Sequence, residues 1–87
     1  MAMRVVVIYK DQTDYTRTVL EFLRDFKHQT GHELETLDPG TAEGSHFCET
    51  YDIVEYPTII ATSDDSVMQK TWRGLPLPTI NEVSYYV

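Results

Sequence analysis

A short, uninterrupted run of β-branched residues near the start of the chain constrains the fold most. Val5, Val6, Val7 and Ile8 follow one another without a polar residue between them. A strand with this pattern is apolar on both faces, which suits the centre of a sheet that is covered on both sides. A second β-branched run occupies residues 58–62. The sequence therefore predicts an α/β fold in which helices cover both faces of a central sheet.

The spacing of apolar residues changes to that of a helix after the first run. Four side chains recur at the i, i+3, i+4 and i+7 positions of one buried helix face: Val19, Phe22, Leu23 and Phe26. Gly31 follows them, at a position where a left-handed residue commonly ends a helix. This pattern predicts a helix from about residue 14 to residue 30.

The middle of the chain predicts a strand and then a weaker helix. Residues 33–38 alternate polar and apolar, which is the period of a half-buried strand. Residues 41–51 carry apolar positions at helical spacing: Ala42, Phe47, Cys48 and Tyr51. Gly44 and Ser45 lower the helix propensity of this segment.

The last third of the chain predicts a hairpin and a short helix. Residues 58–62 and 67–73 flank a polar turn and should pair antiparallel. Thr79 and Glu82 have the spacing of a capping box, and three apolar residues would share one side of the helix that follows: Ile80, Val83 and Val87. The predicted order is β-α-β-α-β-β-α, with a mixed four-stranded sheet.

Charge and cysteine content exclude several classes of function. The chain has 14 acidic and 7 basic side chains, a net charge of −7 and a single cysteine. Scattered cations on an acidic chain argue against a nucleic-acid-binding surface. One cysteine excludes an internal disulfide and a four-cysteine zinc site. No apolar run has membrane-spanning length, so we expect one cytoplasmic domain over residues 1–87, with no membrane partner.

Two segments resemble the thioredoxin and glutaredoxin families. Residues 8–17 (IYKDQTDYTR) resemble the glutaredoxin strand, loop and start of the active-site helix. Residues 38–42 (DPGTA) and 51–58 (YDIVEYPT) resemble the thioredoxin segment that leads to its cis-proline. Trp72, Arg73 and Gly74 stand where that family has a glycine-bearing last strand. The resemblance implies a minimal thioredoxin-like fold and a cis bond before Pro57.

The resemblance also shows where redox-active relatives carry a Cys-x-x-Cys motif. Thr13 and Thr16 occupy those two places here, in the segment Thr13-Asp14-Tyr15-Thr16. A helix N-terminus stabilises a thiolate and lowers the pKa of a cysteine placed there, whereas a threonine hydroxyl is far too weak an acid to ionise in that field. The hydroxyls could instead cap the helix. We therefore predict a redox-inactive thioredoxin-like domain without catalytic residues or cofactor.

The same segment defines a candidate groove for binding. In relatives, backbone beside the cis-proline pairs with an extended peptide or with glutathione, which is recognition by strand addition. The candidate groove comprises Lys10, Thr13, Tyr15, Thr16, Tyr56, Pro57 and Gly74. A protein or peptide is the expected partner. Glutathione is the second candidate, because glutaredoxins carry a glutathione-contacting lysine where Lys10 stands.

Two alternatives concern the remaining reactive side chains. Cys48 falls on the second helix and is expected in the core. The competing function is a glutathione- or thiol-linked oxidoreductase that uses Cys48 or a partner's cysteine. His28 and His32 are four residues apart, but Gly31 should end the helix between them, and His46 and Cys48 are two apart and diverge on a helix. We therefore expect surface histidines and no metal site.

Overall fold

The computed structural model describes residues 4–87, and its elements follow the predicted order. Four strands form the sheet: β1 (Arg4–Ile8), β2 (Glu35–Leu37), β3 (Thr58–Thr62) and β4 (Met68–Arg73). Three helices accompany it: α1 (Thr16–Thr30), α2 (Ala42–Tyr51) and α3 (Ile80–Ser84). No helix in this part of the chain is long and apolar enough to cross a membrane.

The sheet is mixed, as predicted, and its strand order is β2-β1-β3-β4. β1 pairs with β2 in parallel and with β3 antiparallel, and β4 pairs antiparallel with β3. The two β-branched runs are thus the two inner strands. Every residue of β3 is buried, and in β1 only Arg4 is exposed. These strands are apolar without interruption because both of their faces are covered, as the sequence predicted.

Alternate residues of the inner strands supply two separate core layers. Val5, Val7, Ile59 and Ala61 pack with side chains of α1 and α3 on one face of the sheet. The intervening residues of the same strands pack with α2 on the other face: Val6, Ile8 and Ile60. Full burial of a large apolar side chain contributes about 2 kcal/mol, so both layers are needed to hold a chain of this size.

The N-terminal turn of α2 approaches the end of β2 very closely. Gly44 is buried there, and a Cβ atom added to it would lie only 1.9 Å from the carbonyl oxygen of Asp38. Thr41 caps the helix, because its side-chain oxygen accepts the Gly44 N–H at 3.0 Å. The glycine that weakens the helix pattern therefore sets the approach of α2 to the sheet.

Two of the helix ends lie at the residues that the sequence predicted for them. Gly31 ends α1 in the left-handed region at φ 77°, and the capping box of Thr79 and Glu82 begins α3. Ala42 and Val87 are exposed, although the helical spacing predicted both on apolar faces. Ala42 is the first residue of α2, and α3 ends at Ser84, before its periodicity reaches Val87.

Candidate functional site

The loop between β1 and α1, residues 10–16 and here called the threonine loop, closes on itself through hydrogen bonds. The Thr16 hydroxyl donates to the Lys10 carbonyl at 2.9 Å and accepts the Thr13 N–H at 2.9 Å. The hydroxyl oxygens of Thr13 and Thr16 lie 2.9 Å apart. The two threonine side chains therefore meet at one point.

The threonine side chains do not cap α1 in the expected way. The helix begins at Thr16 rather than near residue 14, and its N-cap residue Tyr15 makes no side-chain cap hydrogen bond. The reason is that the Thr16 hydroxyl reaches backward to the Thr13 amide and the Lys10 carbonyl. The hydroxyl thus stabilises the loop that precedes the helix instead of the exposed amides of the first turn.

Lys10 connects this loop to the segment before β3, residues 52–57, here called the tyrosine loop. The Lys10 N–H donates to the Tyr15 hydroxyl at 3.1 Å. The Lys10 ammonium lies 5.6 Å from the centroid of the Tyr56 ring, within the range of a cation–π contact. Lys10, Thr13, Tyr15, Thr16 and Tyr56 therefore form one continuous surface.

Pro57, which is buried, and Gly74, which is half-buried, are the remaining two residues of the candidate groove. The Tyr56–Pro57 peptide bond is cis, as is Leu75–Pro76. The Pro57 side chain is fully buried, and its carbonyl accepts the Gly74 N–H at 2.8 Å. Gly74 has a φ of 70°, in the left-handed region that favours glycine. Pro57 therefore offers no side-chain surface to a ligand.

The backbones of Val54 and Tyr56 are open in the tyrosine loop. Within residues 4–87, neither the N–H nor the carbonyl of these two residues takes part in a hydrogen bond. The Thr58 hydroxyl, by contrast, is already paired, because it donates to the Glu55 carbonyl at 2.6 Å. Val54 is 75% exposed. Unpaired peptide groups next to an exposed apolar side chain are what strand addition requires.

Cys48 lies next to Tyr56 in the core layer that α2 covers. The cysteine is 7% exposed, and its burial raises the pKa of the thiol, which contact with the Tyr56 hydroxyl only partly offsets. Burial also raises the pKa of the Tyr56 phenol, and the neighbouring Cys48 and Tyr15 raise it further. Both groups are neutral at pH 7, so the thiol is a poor nucleophile where it stands.

Sequence reasoning placed Cys48 in the core but missed its contact with Tyr56. A cleft of about 260 Å³ runs past both residues and is also lined by Ile53, Val54 and Glu49. These residues come from α2 and from the tyrosine loop, so no spacing in the sequence links them. The exposed side chain of Val54 indicates a binding surface only weakly, because apolar residues are common on protein surfaces.

The histidines do not converge with other ligand-bearing side chains. His28, His32 and His46 are all exposed. Over residues 4–87, no group of three or more histidine, cysteine, aspartate or glutamate side chains could hold a metal ion. The described part of the chain therefore gives no geometric basis for a metal centre.

Sequence comparison adds no family to this picture. No protein-family model matches the chain, and no curated protein matches its sequence.

Structural comparison identifies the fold. Thioredoxin O2 from Arabidopsis thaliana superposes with a TM-score of 0.70 at 9% identity, over 97% of this chain and 70% of that one. The exposed lipoprotein thioredoxin Etrx1 of Streptococcus pneumoniae gives 0.69 at 13% identity, over 97% and 82%. Thioredoxin 1 from Thermosipho africanus gives 0.63 at 16% identity, over 95% and 88%. The chain has a minimal thioredoxin-like fold.

Proposed function

We propose that this thioredoxin-like chain is a redox-inactive binding module that recognises an extended protein or peptide segment through the candidate groove. The observation that carries the proposal is the unpaired backbone of Tyr56, which lies between the exposed Val54 and the Lys10 ammonium. A partner strand could pair with these peptide groups without displacing an existing hydrogen bond. The hydrogen bond from the Gly74 N–H to the carbonyl of the buried Pro57 helps to hold the loop in place.

The number and the position of the cysteines support the proposal of redox inactivity. Dithiol–disulfide cycling within a chain needs two cysteines, and the sequence has one. The helix start, where a thiolate would be stabilised, carries Thr13 and Thr16. Cys48 is buried in the layer beneath α2, with the pKa of its thiol raised. These features favour binding over catalysis.

The competing function, a glutathione- or thiol-linked oxidoreductase, rests on one specific observation. Cys48 lines the cleft that Tyr56 also lines, so the only thiol of the chain lies beside the candidate groove rather than remote from it. A small movement of Tyr56 would be needed to admit a disulfide substrate to the sulfur. Loss of any thiol-dependent turnover in Cys48→Ser would support this alternative.

Selection from a library of extended peptides, followed by NMR mapping, tests the binding proposal. The selected peptides should shift the Tyr56 amide resonance and slow its hydrogen exchange, because that amide becomes a donor to the partner strand. Tyr56→Ala should weaken binding through loss of aromatic contact area. Tyr85→Ala is the matched control, since Tyr85 is 79% exposed at the other end of the chain. Shifts confined to β4 and α3 would refute the groove.

A further inference from the structure

The cleft beside Tyr56 has an apolar wall and an acidic rim. Ile53, Val54 and Tyr56 line one part of it, and the exposed carboxylates of Glu49 and Asp52 line another. Glu55 is also exposed but does not line the cleft, because its carboxylate lies beside Gly74. An apolar side chain of a ligand could lie against Val54 while its neighbours in sequence approach the two acidic residues of the cleft.

The acidic rim belongs to a larger charge asymmetry in the sequence. Between Lys27 and Lys70 there is no lysine or arginine. The same segment contains nine acidic residues: Glu33, Glu35, Asp38, Glu43, Glu49, Asp52, Glu55, Asp64 and Asp65. The helix that covers this face of the sheet, α2, and the tyrosine loop both lie inside the segment. Their net negative potential would attract cations to this side of the molecule.

The carboxylates of the cleft are not neutralised within the described residues. The ion pairs found there join Arg4 with Glu35, Arg24 with Asp25, and Lys27 with Glu33. None of them uses a carboxylate of the cleft rim or Glu55. These charges are therefore available to a partner.

Two cations of the chain flank the cleft without filling it. Lys10 lies over the ring of Tyr56. Arg73 donates to the backbone carbonyl of Asp52 at 3.1 Å and leaves the Asp52 carboxylate without an ion pair. Neither cation lines the cleft, and the only charged residues that residues 4–87 contribute to its lining are Glu49 and Asp52.

We infer that the partner segment is basic: an extended stretch of polypeptide with lysine or arginine on both sides of an apolar residue, lying across the cleft and the tyrosine loop. The inference rests on the proposed function, because the Tyr56 backbone supplies the strand pairing. The apolar residue packs on Val54, and the flanking cations face Glu49 and Asp52. Charge complementarity of this kind selects among extended partners and speeds their encounter.

Fluorescence anisotropy with two synthetic peptides tests the partner class. One labelled peptide has the sequence Ser-Lys-Ser-Lys-Leu-Lys-Ser-Lys, and its counterpart has glutamate at every lysine position. We expect the lysine peptide to bind and the glutamate peptide not to bind. Binding of the lysine peptide should weaken as salt is raised, because exposed charges are screened.

A pair of double variants separates local recognition from general attraction to an acidic protein. Glu49→Gln with Asp52→Asn removes two charges from the cleft, and asparagine suits the left-handed conformation of residue 52 at φ 55°. Asp64→Asn with Asp65→Asn removes two charges from the β3–β4 turn. The cleft variant should lose about tenfold in affinity and the turn variant less than about twofold.

The outcomes distinguish a wrong partner class from a wrong site. Equal binding of the two peptides, or equal losses in the two double variants, would overturn the basic-partner inference and leave the groove to be tested with the selected peptides. Cleft-dependent binding that leaves the Tyr56 amide unshifted would contradict the proposed function instead. That result would also overturn the placement of the basic segment across the tyrosine loop.

Discussion

The threonine loop and the tyrosine loop meet at Lys10, and the polar groups of Thr13 and Thr16 in the first loop contrast with those of Tyr56 in the second. In the threonine loop, the two hydroxyls, the Thr13 amide and the Lys10 carbonyl bond to one another. In the tyrosine loop, the Tyr56 amide and carbonyl make no hydrogen bond within residues 4–87. A group that is already paired must give up a bond to take a ligand, whereas an unpaired group only exchanges water.

Under the proposed function, this difference gives different tasks to the two halves of the candidate groove. The threonine loop would support shape, because it holds Tyr15 and Lys10, whose ammonium lies over the Tyr56 ring. The tyrosine loop would supply recognition, because it presents unpaired peptide groups beside the exposed Val54. A disulfide reductase would reverse these tasks, since its reactive thiol would stand in the first loop.

The largest expected effect moves α2, the helix that leads into the tyrosine loop and covers the core layer beside Tyr56. Gly44→Ala would place a Cβ atom 1.9 Å from the Asp38 carbonyl oxygen, so α2 must shift away from the sheet. We expect a loss of about 3 kcal/mol in the free energy of unfolding, measured with urea. Gly40→Ala is the matched control, because its Cβ would meet only the Asp38 side chain at 3.2 Å. Equal losses in both variants would contradict the close approach.

The next effect concerns the geometry retained by the threonine loop. Thr13→Cys combined with Thr16→Cys should form a disulfide under mild oxidation, since the two hydroxyl oxygens are 2.9 Å apart. The oxidised form should be more stable than the reduced form by about 2 kcal/mol, as expected for a very short closed loop. Thiol titration measures the bridge. Two thiols that stay free under oxidant would show that this loop does not hold the shape of a dithiol site.

A smaller effect tests whether the threonine loop is closed by hydrogen bonds. Thr16→Val keeps the side-chain shape and removes the oxygen that bonds the Thr13 amide and the Lys10 carbonyl. The free energy of unfolding of the variant should be lower by about 1–2 kcal/mol, and hydrogen exchange at its Thr13 amide should be faster. Thr18→Val makes the same change at an exposed position of α1 and should be close to neutral. A neutral Thr16→Val would imply that the loop is held by packing.

The smallest effect concerns the Tyr56 phenol. Because its pKa is raised in the folded state, Tyr56 contributes stability that is present below pH 10 and lost as pH rises through the folded-state pKa. The ultraviolet titration difference between the wild type and Tyr56→Phe should show a midpoint above that of an ordinary tyrosine. A midpoint at the ordinary tyrosine value of about 10 would place the Tyr56 phenol in open solvent.

The fold was predictable because its signals are local and agree with one another. The β-branched runs predicted both inner strands, and Gly31 and the Thr79–Glu82 box marked helix ends that the structure confirms. The reach of Thr16 back to Lys10 was not predictable, because a hydroxyl at a helix start usually serves as a cap. The contact of Cys48 with Tyr56 was also missed, since it depends on how closely α2 packs against the sheet. Helix propensity registers Gly44 only as a residue that destabilises α2, and it does not indicate that this glycine lets the helix approach the sheet.

Reduction of insulin disulfides by dithiothreitol tests the central claim most directly: the threonine loop keeps the shape of a dithiol site without its chemistry. The wild type and Cys48→Ser should both react no faster than dithiothreitol alone, and the Thr13→Cys/Thr16→Cys variant should accelerate the reaction. A wild-type rate well above that of dithiothreitol alone would contradict the claim. Loss of this excess rate in Cys48→Ser would identify Cys48 as the reactive thiol.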